Sequence, residues 1–306
     1  MKKISFIILS VLLGSTFIFS AYVKLFPVEL FELTFVDLGV ANWIVAPFLA
    51  RIMIAVEFFI GFLLFFNLYK NKFTLRFTII VLILFTVYLF WQLFTEGNSG
   101  NCNCFGSYIK MTPLESIIKN IILVALSLIL YRFHKGIIWK YSKIFFLVII
   151  LSSVTLPFII NPIDLNITEQ TSDDTVVNYK LDLDVLYNNP KVVEPKMDLR
   201  KGKYIISFMS LTCPYCRIGA YKLHIMKKRN PGIPIFFILN GSNENLKPFL
   251  DETKATDIPY TILLGKDFVK MSGIRLPAIY WVNDGMVIKK FTYLDIDQKA
   301  IEDWLK

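Results

Sequence analysis

Cysteine and histidine are scarce in this chain: four cysteines and two histidines in 306 residues. A structural zinc site needs four such ligands. Cys213 and Cys216 have no third and fourth partner in their own region, where His224 is the only nearby histidine. Zinc is therefore set aside. His224 reads as a helix-surface residue, and Lys227-Lys228-Arg229 as a solvated helix end. Internal repeats and low-complexity tracts are absent. A soluble protein's apolar balance is missing too: 55% of residues are hydrophobic, against about 45–50% in ordinary globular domains. The excess lies before Ile160, and composition after Asn161 is ordinary. This asymmetry points to a membrane-embedded part followed by a soluble one. The formal charge of +9 does not argue for nucleic acid, because much of the basic excess flanks apolar segments, where membrane topology accounts for it.

Five apolar runs approach the ~20 residues that cross a bilayer. They are Ile4–Leu25, Ala46–Tyr69, Phe73–Phe94, Ile117–Tyr131 and Ile144–Ile160. The first also has a signal peptide's layout, with Lys2, Lys3 and small residues near Ser20-Ala21. Its length and the four runs that follow favour a span. Base-rich connections alternate with base-poor ones. Lys2 and Lys3, then Lys70, Lys72 and Arg76, then Arg132, Lys135, Lys140 and Lys143 mark one side. The other connections carry Lys24 against Glu29, Glu32 and Asp37, and Lys110 against Glu96 and Glu115. The positive-inside rule then predicts a cytoplasmic amino terminus. An odd number of spans sends the rest of the chain outside, which in a bacterium is the periplasmic face of the inner membrane. The loop Asn101-Cys102-Asn103-Cys104-Phe105-Gly106 falls on that same outer side. All four cysteines are thus expected in one compartment.

The expected domains are a membrane part over 1–160, a polar lead-in over 161–197 containing Thr171-Ser172-Asp173-Asp174, and an α/β part over 198–306. In the last, Tyr204–Met209 and Ile233–Leu239 read as strands. A helix follows Cys213-Pro214-Tyr215-Cys216 to about Lys228, and Pro231-Gly232 breaks the chain. Further helices are expected over Glu244–Lys254 and Ile296–Leu305. Asn283-Asp284-Gly285 between Ala278–Val282 and Met286–Phe291 signals a hairpin.

Strand, Cys-x-x-Cys, helix is a specific order. A cysteine at a helix amino terminus meets unpaired backbone N–H groups and the positive dipole end, which favour the reactive thiolate. Cys213 is the expected nucleophile, Cys216 one turn on the resolving thiol, and Pro214 suits the first turn. These residues, with Gly273-Ile274-Arg275-Leu276-Pro277-Ala278 ahead of the hairpin, resemble the thioredoxin-like family over roughly Asp198–Lys306. The resemblance implies that Pro277 is cis and faces the dithiol, and that the backbone of Leu276 helps to bind an extended substrate. Ser207 stands where many thioredoxins have a buried acid, so their proton shuttle does not carry over.

Cys102 and Cys104 can bridge only if the chain turns tightly, a turn that Gly100 and Gly106 would allow. A small, strained ring tends to be oxidising and labile. The bland readings are an incidental loop disulfide or two free thiols. Phe17-Ile18-Phe19-Ser20-Ala21-Tyr22-Val23-Lys24, Arg51, Glu57 and Cys102-Asn103-Cys104-Phe105-Gly106 together resemble the DoxX-like superfamily and, within it, the methylamine-utilisation protein MauE, over roughly Ser5–Phe133. That family implies a four-helix membrane protein tied to disulfide chemistry in exported proteins; the fifth span and the α/β domain lie beyond it. A carboxylate inside an apolar span is costly and often functional. Glu57 is expected to be protonated, to pair with Arg51, or to receive protons when a bound acceptor is reduced, with a structural interhelical bond as the plain alternative. Six residues separate the two, so they do not share a helix face, and Arg51 also reads as an interface anchor. Trp91 and Gln92 face the same choice.

The expectation is a polytopic α-helical membrane domain followed by an α/β thioredoxin-like domain, acting as a membrane thiol–disulfide oxidoreductase. Electrons would pass between Cys213–Cys216 and Cys102–Cys104 in either direction, with exported cysteine-containing proteins as clients, no covalently bound cofactor, and a quinone among the spans as electron partner. The competing class is a non-catalytic, membrane-tethered assembly factor for a cysteine-containing client, with a transporter as a weaker third.

Overall fold

The structure is a computed structural model. It describes residues 2–68, 73–98, 102, 104–105, 109, 111–133, 140–163, 178–190 and 192–306. Lys70, Lys72, Lys110 and Lys135 of the charge pattern, Gly100, Asn101, Asn103 and Gly106 of the cysteine loop, and Thr171-Ser172-Asp173-Asp174 lie outside the described residues. The chain divides into two compact units, Met1–Ile163 and Asp164–Lys306.

Among the described residues, the regular elements of the first unit are helices: α1 Lys2–Lys24, α2 Val28–Asp37, α3 Val45–Phe65, α4 Leu75–Glu96, α5 Pro113–Phe133 and α6 Ser142–Ile160. All but α2 are long and apolar enough to cross a membrane, over Ile4–Lys24, Val45–Phe65, Leu75–Thr95, Pro113–Phe133 and Ser142–Ile160. This agrees with the five expected spans, and the chain is a multi-pass membrane protein. Apolar faces alone cannot hold helices together in lipid, so close backbone approach takes over. At the crossing of α1 and α3, a Cβ on Gly14 would lie 2.6 Å from the Phe65 backbone nitrogen and 2.7 Å from the Gly61 carbonyl oxygen. Two helices meet there because neither has a side chain. Ser10 Oγ donates to the Leu64 carbonyl across the same seam at 2.8 Å.

Helix α2 is a departure from the sequence reading, which saw only acidic residues between two spans. Pro27 caps its start, and Phe31, Phe35 and Val36 are buried. At ten residues it is too short to span a bilayer, and it lays an aromatic face into the bundle.

The second unit is a six-stranded mixed sheet in the order β1-β6-β5-β2-β3-β4, with β1 Tyr179–Lys180, β2 Lys203–Ser210, β3 Ile235–Asn240, β4 Tyr260–Ile262, β5 Ala278–Asn283 and β6 Met286–Phe291. Strands β2, β3 and β4 run parallel; β5 is antiparallel to β2, β6 to β5 and β1 to β6. Parallel neighbours need a crossover, and α8 Pro214–Arg229 supplies it between β2 and β3. Strands covered on both faces read as unbroken apolar runs, as in Ile235-Phe236-Phe237-Ile238-Leu239, all buried. Asp284 (φ 47°) and Gly285 (φ 76°) make the hairpin turn, where positive φ at both central residues matches strand twist.

The sequence-read strands, hairpin and α8 are present. A 3-10 turn at Asn243–Asn245 precedes α9 Leu246–Thr253, and α11 is Gln298–Leu305. Strand β4 and helix α10 Lys266–Ser272 were not anticipated; both are short. The stretch expected to be a lead-in up to residue 197 is folded from Tyr179. It carries β1 and α7 Asp184–Asn188, and Leu181, Leu183 and Leu186 enter the same apolar core as Ile206, Phe208 and Tyr280. Its polar composition hid three leucines spaced to bury one face.

Candidate functional site: two dithiols

Cys213 is the N-cap of α8, with an extended backbone at φ −78° and ψ 123°. Its Sγ accepts from the Cys216 backbone N–H at 3.3 Å, one of the amides a helix start leaves unpaired. Pro214 occupies the first turn, where no N–H partner is needed. Cys213 is half-buried and Cys216 fully buried. Burial, followed by the hydrogen bond with Cys213, pushes the Cys216 thiol well above the usual range. It stays protonated at neutral pH, as a resolving thiol waiting behind the nucleophile does. Ser210 N–H also donates to Cys216 Sγ, at 3.4 Å.

The Leu276–Pro277 bond is cis, as the resemblance implied. Pro277 packs on α8: a Cβ on Gly219 would come within 3.2 Å of Pro277 Cγ. The Leu276 side chain packs against the apolar core. Tyr215 between the cysteines is exposed and stacks on Tyr293 with 5.4 Å between ring centroids. Ser207 is fully buried, and its Oγ has no hydrogen-bond partner among the described residues. His224 is not a plain surface residue: its Nδ1 lies 3.0 Å from Asp257 Oδ1.

The other pair sits at the top of the helical unit. Cys102 N–H donates to the Met111 carbonyl at 2.9 Å, and Phe105 bridges Ile109 in antiparallel fashion, so the loop folds back on itself. Cys102 is 2% exposed, packed with Leu89 and Ile117, its Sγ 2.9 Å from Ser116 Oγ. Cys104 is half-buried, and its N–H donates to Cys102 Sγ at 3.3 Å. Both are free thiols. The hydrogen bond between their side chains, then burial, raises Cys102 far above the usual thiol range. The same bond, with the positive charges of Lys119 and Lys24, lowers Cys104 to about 6. One cysteine is held as thiol and the other as thiolate. Ser20 Oγ donates to the Cys104 carbonyl at 3.2 Å, and Lys119 Nζ sits 4.3 Å from the Phe105 ring centroid.

Below the loop lies a cavity of about 610 Å³ of non-atom space. Cys102, Cys104 and Phe105 line its upper part together with Tyr88 of α4; Phe31 and Phe35 come from α2. Among its walls is a buried ion pair: Lys24 Nζ is 2.5 Å from Glu57 Oε1 and donates to Ser20 Oγ at 2.9 Å. Lys24 is 3% and Glu57 5% exposed. The expected Glu57–Arg51 pairing is therefore corrected. Arg51 turns to Glu32 of α2 and donates to the carbonyls of Pro47 and Asn161, and Glu57 finds its cation on α1. Arg51 is buried rather than reaching for an interface. Gln92 is buried as well, while Trp91 is exposed. Ser116 and Lys119 were not picked out, and Ser20 and Lys24 were named only as part of the MauE-like segment, with no role in the site. The available signal was Ser20 and Lys24 one turn apart at the end of the first span, with Glu57 the one acid of the second; Lys24 was read as a flanking charge instead.

Residues 1–133 match the family model of the methylamine utilisation protein MauE. Protein TlpB of Flavobacterium psychrophilum is 27% identical over 345 residues, covering 93% of this chain and 92% of that protein. Among solved structures, the thioredoxin domain of a thiol-disulfide oxidoreductase from Bacteroides vulgatus is 18% identical, covering 35% of this chain and 81% of that one, with a TM-score of 0.29. A secreted Mycobacterium tuberculosis disulfide oxidoreductase is 14% identical over 34% and 80%, with a TM-score of 0.28. Residues 1–133 are thus similar to MauE, and the unit that follows carries its Cys-x-x-Cys pair at the start of α8 beside a mixed sheet. The MauE match ends before α6, so the fifth span belongs to the junction.

Proposed function

We propose that this protein is a membrane thiol–disulfide oxidoreductase in which Cys213–Cys216 and Cys102–Cys104 exchange electrons on the extracytoplasmic side of a bacterial inner membrane, with a quinone as the membrane electron partner. Exported cysteine-containing proteins are its clients. The observation that carries the reading is the cavity: both loop cysteines line a largely apolar, aromatic-walled space among the spans, the kind of lining that small-molecule sites have. A loop disulfide made only to staple the chain has no use for such a space.

In the oxidising direction, a client thiolate attacks Cys213 of the Cys213–Cys216 disulfide. The second client thiol resolves the adduct, leaving Cys213 and Cys216 reduced. Cys213 thiolate then attacks Cys104 of the loop disulfide, and Cys216 closes back on Cys213 as Cys102 and Cys104 leave as thiols. Cys104 is the less buried residue of the pair, and once it is joined to Cys213 its sulfur, favoured as the anion, is the group that Cys216 displaces. The loop dithiol returns to the disulfide by passing two electrons into the cavity. Run backwards, the same steps deliver reducing equivalents to clients.

Trapping tests the relay. In the full-length protein, Cys216→Ser removes the thiol that closes the exchange and is expected to accumulate a Cys213–Cys104 mixed disulfide, visible as a cross-linked peptide by mass spectrometry and lost in Cys104→Ser. The acceptor is tested separately, by adding decylubiquinone or menadione to the reduced protein and counting thiols. If only client adducts form, and Cys102→Ser leaves the cellular redox state of Cys213–Cys216 unchanged, the relay falls and a tethered assembly factor takes its place.

A further inference from the structure

Glu57 has one oxygen engaged and one idle. Oε1 takes Lys24 Nζ, whereas Oε2 is buried and has no hydrogen-bond partner among the described residues. An acceptor left so in a buried place is costly, and this one belongs to a residue that lines the cavity beneath the cysteines. The titratable groups that line that cavity with it are Lys24 of α1, Tyr88 of α4, Lys119 of α5 and the two loop cysteines. On α2 the lining is aromatic, and its Glu32 is engaged by Arg51; α6 contributes nothing to the walls.

We infer that the Lys24–Glu57 pair is the proton-exchange site of the membrane electron partner, with Glu57 Oε2 the atom that meets a ring hydroxyl of the reduced form and Lys24 holding the compensating charge. The inference rests on the quinone reading above and adds to it the group that balances the reaction. As Cys102 and Cys104 join, a thiol and a thiolate give up two electrons and one proton, the proton coming from Cys102. Turning a quinone into its quinol consumes two electrons and two protons. One proton is therefore missing from the dithiol; it enters from water, is taken up by the Glu57 carboxylate at Oε2 and is passed on to the quinone oxygen, which leaves the Lys24–Glu57 ion pair as it was. In the opposite direction the same oxygen accepts a proton from the quinol hydroxyl while the disulfide opens. The pair is also tied to the cysteine loop, since Lys24 donates to Ser20 Oγ and Ser20 donates to the Cys104 carbonyl. A purely structural ion pair accounts for Oε1 but not for an orphaned Oε2 on a residue that lines the same cavity as the cysteines.

The test uses the full-length protein in nanodiscs, with decylubiquinone and menadione as probes. Glu57→Gln keeps shape and removes the proton; Lys24→Met/Glu57→Gln removes both charges and leaves no buried charge unpaired. Both are expected to lower kcat for quinone reduction by about 10²-fold, the low end of what a positioned acid–base group contributes, with KM changed less than about threefold. Glu57→Asp, which keeps an acid, is expected to restore part of kcat. The Cys213–Cys104 adduct of the Cys216→Ser background should form equally in Glu57→Gln and Glu57→Asp, which keep the Lys24 charge near Cys104. A double variant that turns over either quinone at the parent's kcat overturns the inference. Failure of the unsubstituted protein to reduce either quinone instead strikes the acceptor reading on which it rests.

Discussion

Cys213 stands half-exposed at a helix start with Cys216 buried one turn behind; in the membrane domain the order is reversed, Cys102 buried first and Cys104 half-exposed two residues later. Each pair nonetheless uses the same local device. The second cysteine's backbone N–H donates to the first cysteine's sulfur at 3.3 Å, Cys216 to Cys213 and Cys104 to Cys102. What differs is where the remaining help comes from. The helix pair draws mainly on backbone, with Ser210 N–H serving the buried sulfur and the charge of the adjacent Arg217 beside it. The loop pair draws on side chains from elsewhere in the bundle: Ser116 on Cys102, and Lys119 and Lys24 on the charge of Cys104. A Cys-x-x-Cys at a helix start carries its environment with it, whereas a Cys-x-Cys loop has to borrow one.

The largest expected effect comes from breaking the helix pair. Cys213→Ser is expected to bring reduction of a disulfide-bonded test peptide down by the order of 10³-fold or more, because the group that forms the covalent intermediate has no substitute. The measurement is peptide reduction by the full-length protein in nanodiscs. Residual turnover above about a tenth of the parent's would mean that clients can reach the loop pair directly, and the division of labour between the two dithiols would be wrong.

This difference also explains what could be read from the sequence. Five spans, the strands and hairpin of the second unit and the dithiol at the start of α8 follow from periodicity, turn residues and one local motif, and the cis Pro277 from the family resemblance, because each is encoded within a few residues of itself. The surroundings of Cys102 and Cys104 are not. Ser20 is 84 positions from Cys104, and Lys24 and Glu57 are 33 positions apart; they meet only because α1 and α3 cross at Gly14 and Gly61. A lysine at the end of an apolar run is most often a flank, so Lys24 was passed over and Arg51 was offered to Glu57 on the strength of sharing a span. Helix α2 was missed because its five buried apolar residues are interleaved with acids that read as loop. β1 and α7 were missed because a two-residue strand and a five-residue helix carry too little pattern to register.

The second prediction sharpens the contrast through pH. Cys104 is lowered to about 6, and only a thiolate is alkylated. Its reaction with iodoacetamide should be flat above pH 7 and fall about tenfold per pH unit below 6. A free thiol near 8.5 carries about 3% thiolate at pH 7, against about 90% for Cys104, but a less basic sulfur is intrinsically about tenfold slower. The two effects leave Cys104 only about threefold faster at pH 7. They separate in acid: at pH 5 Cys104 is expected to react about thirtyfold faster than a free thiol, while Cys102 is scarcely labelled at either pH. Peptide mapping of the reduced protein after timed alkylation reads both sulfurs at once. A Cys104 rate that still climbs tenfold between pH 7 and 8 would show that the neighbouring lysines do not hold a thiolate.

The smallest effect is the most discriminating. Ser116→Ala deletes the hydroxyl 2.9 Å from Cys102 Sγ without opening space that other groups need. Ser116 favours the anionic form of Cys104 as well as that of Cys102. Its loss should cost the thiolate about 1 kcal/mol, the worth of an ordinary hydrogen bond. The alkylation midpoint then moves to higher pH, the rate at pH 5 falls about fivefold, and the plateau above pH 8 stays where it was, since the anion once formed is equally exposed. No single side chain offers the same handle on Cys213–Cys216, whose donors are the amides of Cys216 and Ser210; substituting Ser210 by alanine keeps its N–H and should leave that pair's reactivity within about twofold. Unchanged alkylation of Cys104 in Ser116→Ala would mean that the loop, like the helix, holds its thiolate by backbone geometry, and that its dependence on the surrounding bundle has been overstated.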